Sequence, residues 1–348
     1  MELRVLELFS GIGGMHYAFQ YAQLKGKFVG VMDINTVANA VYAHNYKNVK
    51  VRTKNIQSLS EKEIEKLDVN MILMSPPCQP HTRQGLQRDI EDKRSDALAH
   101  ICRLLPLCKT LRYVLMENVK GFEGSQAHEQ FIGALEKAGF YWREFILTPT
   151  QFNVPNTRHR YYCIARKNND FSFQGGQIWD EIPLPMTTNH PMPTISTILD
   201  PEASSELVLP DDVLLKRVPV MDIVNPTDTK SMCFTKAYTH YSEGTGSVFT
   251  PLSGEEFKRI FKAANELETT LISDCNSADL QQSRLALLRQ LKLRYFTPRE
   301  VARLMSFPEY FEFPNDTTLR QKYRLLGNSI NVRVVGVLLK VLTDCEKQ

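Results

Sequence analysis

The chain has 348 residues, 43% of them hydrophobic and 23% charged, and a formal net charge of +3. That is the composition of a soluble globular chain, long enough for a large core and a second, smaller unit, and it contains no internal repeat or low-complexity tract. So weak a charge permits a nucleic-acid partner without arguing for one, so any basic surface must be local.

In chain order, residues 3–9 read as a buried strand, followed by Ser10-Gly11-Ile12-Gly13-Gly14 and a helix through residue 23. Residues 28–32 form a second strand and 36–45 a helix, and Ser60-x-x-Glu63 is a capping box opening another. The apolar run 69–75 ends abruptly in Pro76-Pro77-Cys78-Gln79-Pro80. Prolines fix φ and remove backbone donors, so neither sheet nor helix continues at Cys78. Asp96 caps a helix through residue 105, and 113–118 is a strand that runs into Glu117-Asn118-Val119. Residues 125–138 are helical with Gly139 beyond the C-terminus. Strands at 146–148 and 161–166 complete the series. This alternation predicts an α/β fold, a doubly wound and mostly parallel Rossmann-like sheet with helices on both faces.

After about residue 170 the pattern breaks at Gly175-Gly176 and at the prolines 183, 185, 191, 193 and 201. The expected division is a first catalytic part over 1–175, a small irregular recognition domain over 176–296, and a return to the first domain over 297–348. Helical periodicity recurs at 254–267 and 279–293. Thr297-Pro298-Arg299-Glu300 then combines a cap, proline at N1 and glutamate at N3, a strong helix start. Gly327-Asn328-Ser329 is expected to open the last helix, whose apolar face carries Val335, Leu338, Leu339 and Leu342.

Seven cysteines, at 78, 102, 108, 163, 233, 275 and 345, include no Cys-x-x-Cys pair, which argues against a zinc site of the common spacing. The amino terminus runs directly into a strand, without the pattern of a signal peptide, and no apolar run suggests a membrane span. A reduced intracellular compartment is expected.

Several short motifs can carry chemistry. The glycines of residues 11–14 let the backbone turn tightly and approach a ligand. A dinucleotide fingerprint needs glycine where His16 stands, so the turn does not suit NAD. Asp33, twenty positions beyond Gly13, ends a strand where a carboxylate can accept from a ribose diol. The pair suits an adenosine-bearing cofactor without a pyrophosphate; read alone it is equally a helix-start turn and a surface acid. Cys78 on its rigid loop and Glu117 at a neighbouring strand end can face one crevice, though either alone is more often a core cysteine or a solvated acid. Arg158 and Arg160, two apart, can present forked donors on one face to phosphate or carbonyl oxygens. Backbone donors and the Asn328 amide can hold a small ligand.

Phe-x-Gly-x-Gly, Pro-Cys-Gln, Glu-Asn-Val, a paired-arginine motif and Gly-Asn-Ser, in that order, resemble the cytosine-5 methyltransferases. The match covers residues 1 to about 170 and 297–348. Residues 75–80 and Cys233-Phe234-Thr235 look like the branch that methylates cytosine 38 of tRNA-Asp. The resemblance implies Cys78 as nucleophile on a flipped base, Glu117 on the ring N3 and N4 edge, Arg160 on O2, and Arg158 positioning the cysteine loop or a phosphate. It implies S-adenosylmethionine, held by Phe9, Ser10, Gly11, Ile12, Gly13, Gly14, Asp33, Ile34, Asn55, Ile56, Ser75, Pro77, Asn328 and Ser329, and no metal. Residues 81–94 look like a closing loop. Arg83, Arg88, Lys93 and Arg94 on it, with Lys236, Arg289, Lys292 and Arg294, are the expected tRNA contacts. The implied protein is a monomer of cytoplasm and nucleus, off the membrane, with DNA at most a weak partner. The sequence departs from the DNA enzymes at His81 and Thr82, at Asn156 where glutamine is usual, and at Asn55 where aspartate is usual. A DNA methyltransferase and a non-catalytic cofactor-binding module are the alternatives.

Overall fold

The computed structural model describes residues 2–77, 96–183, 191–201, 207–273 and 278–344. An eight-stranded sheet organises the chain, in the order β3-β2-β1-β4-β5-β7-β6-β8. Its first half comprises β1 (Leu3–Leu8), β2 (Gly26–Asp33), β3 (Val51–Thr53), β4 (Met71–Met74) and β5 (Tyr113–Val119). These pair in parallel. Beyond β5, β7 (Arg160–Arg166) runs antiparallel between β5 and β6 (Tyr141–Leu147). The short β8 (Ile178–Trp179) adds in parallel to β6, so the main sheet reaches past residue 175.

Strand side chains alternate between two cores. Val5, Met71, Leu73, Tyr113 and Leu115 enter one, and Leu6, Leu8, Ile72, Met74, Val114 and Met116 the other. Both faces are apolar because helices cover both, as an interior sheet of this kind requires. One face receives α1 (Gly14–Tyr21) and α11 (Val332–Thr343); α4 (Asp96–Leu104) and α5 (Gln126–Lys137) pack together on the other. Gly336 permits the approach of α11 to α1, since a Cβ there would lie 2.3 Å from the Tyr21 ring.

The C-terminal return differs from the sequence reading. Residues 327–329 do not open the last helix. Gly327 ends α10 (Leu319–Gly327), which starts at a Thr318–Gln321 capping box, and Asn328 is its C-cap. The cap of α11 is Asn331, whose side chain accepts the Val334 N–H. The motif therefore lies in the bend between two helices. The apolar stretch 319–343 has the length and composition of a membrane span, contrary to the sequence reading, yet 72% of its apolar window is buried in the fold.

A smaller three-stranded sheet, β11-β10-β9, pairs β9 (Asp222–Val224), β10 (Ser247–Phe249) and β11 (Arg294–Tyr295). With α6 (Asp211–Arg217), α7 (Gly254–Ser273) and α8 (Ala278–Gln290) it surrounds a third core that includes Leu214, Val248, Ile260, Leu285 and Leu288. The segment between β9 and β10 belongs to the main core instead, through Phe234 and Tyr238. At α9 (Pro298–Leu304) the Thr297–Glu300 box forms as expected.

Candidate active site

Because β1, β2, β4 and β5 are parallel, their carboxyl ends share one edge of the sheet. The antiparallel β7 brings its first residue, Arg160, to that edge opposite Val119. A cleft of about 510 Å³ opens there, lined by the strand ends at Phe9, Asp33, Ser75 and Glu117 and by Gly327–Ser329. Open α/β sheets place ligands at this edge.

The turn after β1 carries positive φ at Phe9 (54°), Gly11 (53°) and Gly13 (89°). Asp33 fixes it: Oδ2 accepts the Gly11 N–H at 2.8 Å and Oδ1 the Asn35 N–H at 2.8 Å. Ser75 Oγ donates to the Phe9 carbonyl at 3.3 Å, joining β4 to the same turn. Ser10 is buried, and among the described residues its Oγ has no hydrogen-bond partner. Ser10, Gly11, Ile12, Gly14, Ile34, Asn55, Ile56, Pro77, Asn328 and Ser329 all reach the cleft. Gly13 does not line it. It caps α1, and a Cβ there would stand 3.2 Å from Tyr42 and Tyr46, so packing behind the turn explains this glycine. Asn55 caps the turn Ile56–Ser58 by accepting the Gln57 N–H.

The part of the cleft lined by Glu117, Arg158 and Arg160 is built on β5 and on β7 with the residues before it. Glu117 is buried, and Arg160 Nε lies 3.4 Å from its Oε1. Burial lifts the Glu117 carboxyl above the usual carboxylate range, with the charges of Arg160 and Arg158 holding it back. One ion-pair contact at that distance does not replace the lost hydration. Arg158 and Arg160 do not act as a free pair on one face. Arg158 is 3% exposed and spends its guanidinium on the carbonyls of Phe234 (2.9 Å), Gly327 (3.1 Å) and Ser329 (2.7 Å). It is a bracket that ties β7, the 233–235 segment and the α10–α11 bend together.

Cys233 completes this part. Its sulfur accepts from Arg158 Nη1 at 3.3 Å and Arg160 Nη2 at 3.8 Å. Burial alone would raise this thiol; the two guanidinium charges outweigh burial and hold it below its ordinary value. In the sequence Cys233 is only a family marker. Its placement beside residues about 75 positions away has no local signal. Asn156 is part of the same assembly: fully buried, it donates from Nδ2 to Ser231 Oγ (3.1 Å) and the Met232 carbonyl (2.9 Å). That clamps the Cys233 segment to the start of β7.

The family model described as C-5 cytosine-specific DNA methylase matches residues 3–344. A Spodoptera frugiperda protein named tRNA (cytosine(38)-C(5))-methyltransferase is 42% identical over 346 residues, covering 99% of this chain and 100% of that one. The chain belongs to the C-5 cytosine methyltransferase family. A Dictyostelium discoideum relative named DNA (cytosine-5)-methyltransferase is 36% identical over 383 residues, covering 99% and 95% of the two chains. The crystal structure of a Spodoptera frugiperda DNMT2 mutant superposes on this methyltransferase with a TM-score of 0.86 at 40% identity, covering 98% of this chain and 99% of that one. The family implies S-adenosylmethionine as methyl donor.

The methyltransferase's Cys78 lies outside the described residues, as do Arg83, Arg88, Lys93 and Arg94. Among the other expected nucleic-acid contacts, Lys236 lines the cleft. Arg294 does not present a surface charge: its side chain is 13% exposed and bonds both Glu300 oxygens, at 2.8 and 2.7 Å. A carboxylate that is fully buried at Glu300 demands that partner. Arg289 is exposed but engages Asp211 through Nε and Nη2, at 3.0 and 2.6 Å. Lys292 follows α8 in a left-handed turn, with φ of 50°.

Proposed function

We propose that this methyltransferase transfers a methyl group to carbon 5 of an unpaired cytosine in tRNA, at the position equivalent to cytosine 38 of tRNA-Asp. The observation that carries the reading is a buried Glu117 paired with Arg160 in the same cleft as a glycine turn locked by Asp33. The printed name of the Spodoptera frugiperda relative supports tRNA as substrate.

The glycine turn suits S-adenosylmethionine. Among the described residues the buried Ser10 Oγ has no partner, and the strand-end carboxylate of Asp33 lines the cleft, where it can accept from a ribose. Phe9, Gly11, Ile34, Asn55 and Asn328 complete the cradle. When bound, the donor supplies an electrophilic methyl on a sulfonium. The chain's own residues do the rest. Cys78, as thiolate, adds to carbon 6 of the flipped base and pushes electron density to carbon 5. Burial raises the Glu117 carboxyl against the charges of Arg160 and Arg158, which eases its protonation, and Glu117 gives a proton to N3 as the adduct forms. Arg160, held at Glu117, donates to the base O2. Arg158 and Asn156 keep this part of the site rigid. After carbon 5 is methylated, a solvent base removes its proton, the bond between carbon 6 and sulfur breaks to release the Cys78 thiolate, and N3 returns its proton to Glu117, which restores the ring.

The deciding experiment compares initial rates with labelled methyl donor on tRNA-Asp and on a cytosine-rich duplex of equal length and salt. We expect the faster rate on tRNA. A faster rate on the duplex would overturn this reading in favour of a DNA methyltransferase, the activity that the Dictyostelium discoideum relative's name carries.

A further inference from the structure

Three residues beyond the buried Tyr238, the chain turns a second tyrosine outward. Tyr238 is a core residue whose hydroxyl donates to the Ser247 carbonyl at 2.7 Å and accepts the Phe296 N–H at 2.9 Å. Tyr241 is 61% exposed. The turn between them is closely tied. The His240 and Tyr241 N–H groups both donate to the Ala237 carbonyl, at 3.0 and 3.2 Å. Thr245 Oγ1 donates to the Tyr241 carbonyl at 2.5 Å, and the Thr235 N–H to the Thr245 carbonyl at 2.9 Å.

At its apex Thr239 holds φ at 69°, a left-handed conformation that a β-branched residue rarely adopts. Such strain persists only where surrounding bonds over-determine it, and it concentrates at functional segments. Beyond it the exposed rings of His240 and Tyr241 stand edge to face, with centroids 4.6 Å apart and planes at 66°.

The other end of this segment is at the chemistry. Cys233 meets Arg158 and Arg160, and Lys236 lines the cleft. The α10–α11 bend presses on the segment so closely that a Cβ on Gly327 would stand 2.2 Å from the Thr235 carbonyl carbon. The Tyr241 N–H is held on the carbonyl of Ala237, the neighbour of Lys236, so the exposed ring belongs to the same tied turn that reaches the cleft. An exposed ring on a closely tied turn whose Lys236 lines the cleft has the makings of a single-strand stacking site.

We propose that Tyr241, braced by His240, stacks on an unpaired base adjacent to the target cytosine and holds the RNA in register while the target occupies the cleft. A base drawn from its stack leaves a neighbour without a stacking partner, and an aromatic ring supplies one. The proposal rests on the tRNA reading above. A platform of this kind favours a loop, whose bases are free to splay, over a duplex, whose bases stay stacked.

The test uses full-length protein and tRNA-Asp, with Tyr241→Ala, Tyr241→Phe and Tyr241→Trp beside wild type. We expect Tyr241→Ala to lower kcat/KM about tenfold and Tyr241→Phe and Tyr241→Trp to stay within about twofold, since any aromatic face stacks. S-adenosylmethionine affinity, read by calorimetry, should be the same in all four. A tRNA carrying an abasic nucleotide at the stacked neighbour should slow wild type to the level of Tyr241→Ala and slow Tyr241→Ala no further. Tyr241→Ala at the wild-type rate would overturn the platform. So would losses that multiply independently for an abasic site at either neighbour. Wild type that methylates no tRNA would overturn the tRNA reading and the platform with it; wild type active on tRNA with either of the preceding results removes the platform alone.

Discussion

Glu117 and Arg158 show how position converts an ordinary side chain into a specialised one. Burial raises the Glu117 carboxyl above the usual carboxylate range against the charges of Arg160 and Arg158, which suits it to the proposed role of proton donor. Glu117→Gln keeps the shape and removes the proton. It should lower kcat by about 10²–10⁴-fold while leaving S-adenosylmethionine affinity unchanged, as single-turnover rates and calorimetry would show. Unaltered turnover would take Glu117 out of the acid role. Arg158 acts on the structure, since three carbonyls and the Cys233 sulfur surround its guanidinium. Lysine cannot reproduce that fork. Arg158→Lys should cost about 2–4 kcal/mol in urea unfolding, given the worth of charge-assisted bonds left unmade, and wild-type stability would refute the bracket. For Cys78 the expectation comes from the loop sequence and the family. RNA with 5-fluorocytosine at the target should trap a covalent adduct with wild type and none with Cys78→Ala, because fluorine blocks the final elimination.

Among the elements, the bend between α10 and α11 joins fold to site. Residues 327–329 are legible as a motif, yet their helical context is not. A sequence reading sees Gly-Asn-Ser before an apolar helix and assigns it the N-terminus. In the fold Asn331, three residues on from Asn328, makes the cap, since its side chain is the one aimed at the Val334 N–H. Gly327 is required for a reason no local pattern carries: the backbone of Thr235 and Lys236, 92 and 91 positions earlier, fills the space of a Cβ at 2.2 and 2.3 Å. That contact is with backbone and cannot be relieved by a rotamer change. Gly327→Ala should therefore displace the 233–236 segment from Arg158 and Arg160. A misplacement of this kind costs about 100-fold in rate. The kcat on tRNA is the measurement, and a wild-type value would show that the segment yields without harm.

Across the whole molecule, one buried chain of polar groups links the first strand to the two helices beside it. Glu7 on β1 accepts from the Tyr42 hydroxyl at 2.7 Å, which lies 2.8 Å from His16 Nδ1. His16 is stacked between Phe28 and Tyr46, with centroids at 3.6 and 3.8 Å. Burial pushes Glu7 up to about 8 against the Tyr42 hydrogen bond, with Asp33 adding to the rise, and burial pushes His16 down to about 3. The signs follow. Glu7 keeps a proton that the unfolded chain gives up near 4.5, so its contribution is full below that pH and is lost as pH rises through about 8. His16 stays neutral where the unfolded chain would charge below 6.5, so its contribution is full above that and is lost as pH falls toward about 3. Glu7→Gln should therefore gain on wild type between pH 5 and pH 8, by on the order of a few kcal/mol. Urea unfolding at several pH values checks this, and parallel curves for the two proteins would refute it.

The order of elements, the glycine turn and the strand-end acids could all be read from the chain, because each depends on local backbone preference or on the alternation of buried positions. Thr297–Glu300 caps its helix as expected for the same reason: every atom involved lies within four residues. The tertiary structure alone decided what the arginines do. Arg158 and Arg294 look like surface cations in sequence, yet one is spent on three carbonyls and the other on a buried glutamate. It also decided that Cys233 and Asn156 belong to the site and that Gly13 belongs to the packing behind it. Those roles depend on which distant groups share a desolvated space, and a buried charge or a missing Cβ takes its meaning from the neighbours that folding brings to it.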